Sequence, residues 1–77
     1  MAYEIDLRPA CIAGPIQQIK DVLKSVARED TPDLQTNMVA ESFYKAARHL
    51  QLATGAQDFS MTLKVPDGRA VEMRFIA

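Results

Sequence analysis

The chain has 77 residues, a formal net charge of −1 and an apolar fraction of 48%. These values are typical of one small globular domain, here residues 1–77, and they exclude a disordered tail, a collagen-like fibre and a disulfide scaffold. No apolar run is long enough to span a bilayer, and acidic residues near the start argue against a secretory signal. Together with a single cysteine, these features predict a cytoplasmic protein that does not bind membranes.

Apolar and charged side chains alternate in the first segment, as they do in a strand with one face on a core. The apolar positions are Tyr3, Ile5 and Leu7. Pro9 lacks a backbone donor and ends the pattern. We therefore predict a strand over about residues 2–8.

Apolar residues at helical spacing predict two helices in the middle of the chain. The first covers about residues 15–29 and begins at Gly14-Pro15, because proline suits a first helical position. The second covers about residues 32–54, with Thr31 as its N-cap and Gly55 as a left-handed C-cap. Its main stripe, which we expect to face the core, comprises Val39, Phe43, Ala46, Ala47, Leu50 and Ala53.

The C-terminal part of the chain predicts a β-hairpin. Its strands cover about residues 58–65 and 69–76, and Pro66-Asp67-Gly68 has the composition of a tight turn. A three-residue loop sets one register, in which every apolar residue faces another. The predicted pairs are Leu63 with Val71, Met61 with Met73, and Phe59 with Phe75.

The order strand–helix–helix–strand–strand predicts an α+β fold. We expect a two-layer sandwich in which both helices pack on one face of a three-stranded sheet. The sequence leaves open whether the first strand pairs with the second or with the third.

Residue patterns that support catalysis are missing from the sequence, which has no phosphate loop, dinucleotide fingerprint, nucleophile elbow or zinc-ligand spacing. Cys11 and His49 are the only candidates for a nucleophile and a base, and nothing in their spacing brings them together. We expect Cys11 to be a small buried apolar residue and His49 to be solvated. The chain is therefore expected to be non-enzymatic, without catalytic residues, metal or cofactor.

Three apolar residues of the second helix lie outside its main stripe and predict a protein-interaction surface. Leu34, Met38 and Leu52 project among charged residues such as Lys45, with Tyr44 on a nearby flank. Apolar patches of this kind on small soluble domains usually mark interfaces. The other interpretation is that all three pack under the turns at the two ends of the helix.

From this surface we predict a small regulator, adaptor or inhibitor that binds the surface of a larger protein, with homodimer formation as a further form of association. The predicted contact residues are Leu34, Met38, Lys45 and Leu52. The charged outer face of the sheet would add specificity, and the two sheet edges would allow strand addition. A domain of this size also gains from burial against a partner, because its own core is small.

A second hypothesis from another class is a dimeric nucleic-acid-binding regulator. Lys20, Lys24 and Arg28 recur every four residues and form a basic ridge along the first helix. Such a row can follow a phosphate backbone. The net charge of −1 and the absence of interleaved aromatic residues make this the weaker hypothesis.

Overall fold

The computed structural model describes residues 3–27, 36–65 and 68–77. Two helices and three strands follow in the predicted order, so the α+β class is confirmed. In chain order they are β1 (Tyr3–Asp6), α1 (Ala13–Val26), α2 (Thr36–Thr54), β2 (Asp58–Lys64) and β3 (Ala70–Ile76).

The sheet is mixed, with strand order β1-β3-β2. β1 runs parallel to β3, and β2 runs antiparallel to it. The strand pairing that the sequence left open is therefore decided, because the first strand pairs with the last. β3 is the central strand, and β1 and β2 form the two edges.

The predicted hairpin register is confirmed. The paired residues include Leu63 with Val71, Met61 with Met73, and Phe59 with Phe75. Gly68 has a φ of 91°, a conformation that glycine adopts without steric cost. Pro66 and Asp67, the other residues of the predicted turn, lie outside the described residues.

The core lies between the sheet and the two helices. Phe75 is at its centre, with ring centroids 5.4 Å from Phe59 and 5.7 Å from Phe43 of α2. α1 packs against both β1 and α2. The other fully or nearly fully buried apolar side chains include Ile5, Leu7, Ile19, Leu23, Ala40, Ala47 and Met73.

The bounds of the first two elements differ slightly from the prediction. α1 begins at Ala13, two residues before Pro15, and ends at Val26, because Ala27 adopts an extended backbone with ψ 144°. β1 ends at Asp6, although the N–H of the next residue, Leu7, still donates to a backbone carbonyl of β3. The end of α1 is thus three residues earlier than predicted, and the other differences are of one or two residues, as is common at helix and strand ends.

The start of the second helix, predicted at Thr31 and Pro32, lies outside the described residues. Its predicted end is confirmed, since α2 stops at Thr54 and Gly55 has a φ of 69°. The Gly55 N–H donates to the Gln51 carbonyl at 2.8 Å and closes the last turn.

Two arginines join elements that are distant in sequence. The Arg48 guanidinium donates to the Leu7 carbonyl at 3.1 Å and to the Tyr44 hydroxyl at 3.2 Å, and it lies over the Tyr44 ring. Arg69 donates to the Val26 carbonyl at the end of α1. These hydrogen bonds fix α1 and α2 relative to the sheet.

Candidate interaction surface

α2 is turned by about one residue position relative to the predicted stripe. Its buried residues are Ala40, Phe43, Tyr44 and Ala47. The prediction was therefore wrong for Tyr44, which was placed on an outer flank. The physical reason is that α2 packs mainly against α1, so the neighbouring helix selects the buried side, and Arg48 satisfies the Tyr44 hydroxyl.

This rotation leaves much of the predicted core stripe facing outwards. Val39 is half-buried, Ala46 and Ala53 are exposed, and Leu50 is 38% exposed. The expectation of a core position was wrong for Ala46, Leu50 and Ala53, whereas Val39 is partly buried and packs against the core. An apolar stripe that is regular in sequence but uncovered in the fold is the kind of surface that a partner covers.

An open apolar groove of about 420 Å³ lies between this stripe and β2. On the strand side, Phe59, Met61 and Leu63 are only partly buried. Because its walls are mainly apolar, with Ser42 as the one polar lining residue among those described, the groove suits apolar side chains of a polypeptide better than a polar small molecule, which needs converging polar groups. It is lined by Met38, Val39, Ser42, Phe43 and Ala46 of α2 and by Leu63 of β2.

The interface residues predicted on α2 lie on its outer side. Met38 is 65% exposed and lines the groove, Leu52 is 74% exposed, and Lys45 is exposed between them. Their spacing of seven residues keeps them on one side of the helix, with Met38 and Leu52 about 20 Å apart along its axis. Met38 is thus the one of these three that belongs to the groove. Leu34 lies outside the described residues.

β2 presents a free strand edge beside the groove. The Val65 N–H donates to the Arg69 carbonyl and the Ala77 N–H to the Gln57 carbonyl, both at 2.9 Å, so the odd-numbered residues of this segment bond to β3. In an antiparallel pair, residues whose backbone groups bond to the partner strand alternate with residues whose backbone groups point away from it. The backbone groups of residues 58, 60, 62 and 64 therefore point away from β3, and no described residue bonds to them.

The other edge of the sheet is protected. β1 has only four residues, and the Asp6 N–H donates to the Gln18 side-chain carbonyl of α1 at 2.8 Å. A short edge strand with its donor occupied is a poor template for strand addition. The free edge of β2 is longer, with seven residues in unbroken register and no proline.

The outer face of the sheet carries exposed ion pairs. Arg74 donates to both carboxylate oxygens of Asp58 and lies 3.9 Å from Glu4. Its hydrogen bond lowers the pKa of Asp58, and the carboxylate in turn raises the pKa of Arg74. Arg8 lowers the pKa of Asp6 in the same way, first through its side-chain hydrogen bond.

The basic ridge lies on α1, away from the groove. Lys20 is half-buried and Lys24 is exposed, while Arg28 lies outside the described residues. Asp21, which accepts a hydrogen bond from Gln17 at 3.0 Å, places a carboxylate next to Lys20 in the sequence. The nucleic-acid hypothesis stays a prediction.

The two side chains considered for catalysis are both exposed. This is as predicted for His49 and contrary to the prediction for Cys11. The reason is that residues 8–12 connect β1 to α1 along the surface, and the first buried side chain after them is that of Pro15 in α1. Within the described ranges, no three His, Cys, Asp or Glu residues are grouped as metal ligands would be. No helix in that part of the chain has the length and apolar character needed to cross a membrane.

No protein-family model, curated protein or solved structure matches the chain. Function therefore has to be inferred from the chemistry of the surface. That surface combines an apolar groove, a free strand edge and exposed apolar residues on α2.

Proposed function

We propose that the chain is a non-enzymatic protein-interaction module. It acts as a regulator, adaptor or inhibitor by binding another protein through the α2–β2 side, which we define as the groove, the free β2 edge and the outer side of α2. The observation that supports this most strongly is the open apolar groove directly beside an unprotected strand. The same proposal places the protein in the cytoplasm, where an exposed thiol such as that of Cys11 stays reduced.

The groove and the edge offer two complementary kinds of contact. The groove accepts apolar side chains, and Met38 at its rim adapts its shape to them because its side chain is unbranched and flexible. The edge accepts a backbone through hydrogen bonds, as in strand addition. Each apolar side chain that a partner buries completely contributes about 1.5–3 kcal/mol.

The test is Met38→Asp, compared with Ala13→Asp as a matched control. Both residues are exposed in the first turn of a helix, but Met38 lines the groove and Ala13 lies on α1, outside the α2–β2 side. A tagged chain is used to isolate a partner from nuclease-treated lysate, and the complex is then rebuilt from the two purified proteins and measured by calorimetry. We expect Met38→Asp to abolish binding and the control to keep it.

The thermal melt of the free Met38→Asp variant is the second measurement. Because Met38 is 65% exposed in the free chain, the melting temperature should stay close to that of the wild type. A large drop would place Met38 in the core. Equal loss of binding in both variants would show that the groove is not the contact surface.

The double variant Lys20→Glu, Lys24→Glu separates this proposal from the nucleic-acid hypothesis. Both lysines lie on α1, away from the groove, so protein binding should be unchanged. Association with nucleic acid that weakens steeply with salt and is lost in this variant would instead favour the basic ridge.

A further inference from the structure

The free edge of β2 can pair with the same edge of a second copy, because an antiparallel pair of two such strands places complementary groups opposite each other. We propose that this edge binds a second copy of the same chain, with the two β2 strands antiparallel about a twofold axis at Met61. The inference rests on the proposed function, because it uses the same α2–β2 side, and it names the partner at that edge. The two sheets would then form one continuous sheet across the dimer.

The hydrogen-bonding pattern of β2 is compatible with this axis. Residues 58, 60, 62 and 64 point their backbone groups outwards. An antiparallel pair centred on Met61 makes these residues the hydrogen-bonded ones, with Ser60 opposite Thr62 of the second copy. Met61 then lies opposite Met61 of the second copy in a non-hydrogen-bonded pair, and the two Cα atoms of such a pair lie about 4.5 Å apart.

Charge selects this register over its neighbours. β2 begins with Asp58 and ends with Lys64, so pairing about Met61 places opposite charges across from each other at both ends of the strand pair. A register shifted by two residues in either direction leaves one of these charges opposite Ser60 or Thr62 and the other beyond the end of the partner strand. Opposite charges directly across strands stabilise a pair, and like charges destabilise it.

The apolar face of β2 supports the same arrangement. Phe59 would lie opposite Leu63 of the second copy, next to the central pair of Met61 residues, and all three are only partly buried in the single chain. The two α2 helices would approach the axis from both sides. Their uncovered stripe, which includes Ala46 and Leu50, would then face apolar surface of the second copy.

The first test reverses one charge at a time. Asp58→Lys and Lys64→Asp each turn both end pairs into like-charge pairs, so each variant alone should dimerise at least about tenfold more weakly than the wild type. An equimolar mixture of the two should recover wild-type affinity, because every lysine then faces an aspartate. Sedimentation equilibrium from micromolar to near-millimolar concentration measures all three samples, and circular dichroism checks that each variant is folded.

Asp6→Lys is the matched control for charge reversal. Asp6 also forms an ion pair with an arginine, but it lies on the protected edge. The Asp6→Lys variant should therefore dimerise with the same affinity as the wild type.

The second test locates the axis by crosslinking. In a Cys11→Ser background, Met61→Cys brings two thiols together at a separation of Cα atoms that a disulfide spans. With oxidised glutathione as the oxidant, this variant should form a covalent dimer rapidly. Ser60→Cys, one residue from the axis and facing a threonine, should form it much more slowly.

Three outcomes would overturn the inference. The first is a chain that is monomeric throughout the concentration range. The second is a dimer whose affinity neither charge reversal changes. The third is an equal rate of disulfide crosslinking for Ser60→Cys and Met61→Cys. A monomer that still binds a larger protein through Met38 would leave the proposed function standing. Loss of both kinds of association would refute both proposals.

Discussion

Filling the groove should stabilise the chain and block its binding at the same time. Ala46 is exposed and lines the groove, and Ala46→Leu adds three carbon atoms there. Each carbon is worth about 0.8 kcal/mol when fully buried. Because the groove is open, about half of the total is realised, and leucine is only slightly poorer than alanine as a helix former. The net gain should be about 1 kcal/mol, equivalent to a rise in melting temperature of about 4–8 °C.

Urea denaturation followed by circular dichroism measures the stability, and calorimetry with the purified partner measures the binding. Ala13→Leu is the matched control, since Ala13 is an exposed helical alanine of α1 and lies outside the α2–β2 side. A more stable variant that no longer binds cannot have lost binding by unfolding. If Ala46→Leu instead costs about 1–3 kcal/mol, as in an overpacked core, the groove is closed in solution and the reasoning fails. Stabilisation with unchanged binding would show that the partner contacts another surface.

Three further predictions concern the fold. Phe75→Ala should cost about 3–5 kcal/mol in urea melts and Phe75→Leu less than about 1.5 kcal/mol, because Phe75 is fully buried between two other rings; equal costs would contradict this packing. Arg48→Ala and Tyr44→Phe should be coupled by about 0.5–3 kcal/mol in a double-mutant cycle, since the guanidinium donates to the Tyr44 hydroxyl, and additive effects would refute the link. Asp6 and Asp58 have folded-state pKa values below the ordinary 3.8, so their contribution to stability is present above that pH and is lost as the pH falls through the lowered values. Urea melts at neutral and acid pH should show this loss, and Asp58→Asn should make it smaller.

The elements that sequence predicts well here are those whose pattern is local. The hairpin register follows from strict alternation on both sides of one short turn, and a slip by one residue would expose the whole apolar face of β2. The end of α2 follows from Gly55, which adopts the expected positive φ. Both depend on residues that are close in sequence.

Features that depend on distant residues were not predictable in the same way. The apolar residues of α2 cover a wide arc of the helix, and the part that is buried is chosen by contact with α1. Tyr44 is buried because Arg48 satisfies its hydroxyl, and the position of that guanidinium depends in turn on Leu7, far away in the sequence. The groove arises from the same rotation, and among the described interface residues predicted from the sequence only Met38 lines it.

The central position of β3 also dictates when the fold becomes complete. β3 is the last of the three described strands, and both β1 and β2 bond to it and not to each other. During synthesis, β1 leaves the ribosome before β3 and has no partner among the described strands until residues near Met73 emerge to pair with Tyr3. Pairing between such distant segments is slow, and unpaired apolar strands are prone to aggregate in the meantime. The sheet therefore cannot form until β3 has been synthesised, and removal of β3 would unfold the whole sheet instead of fraying one edge.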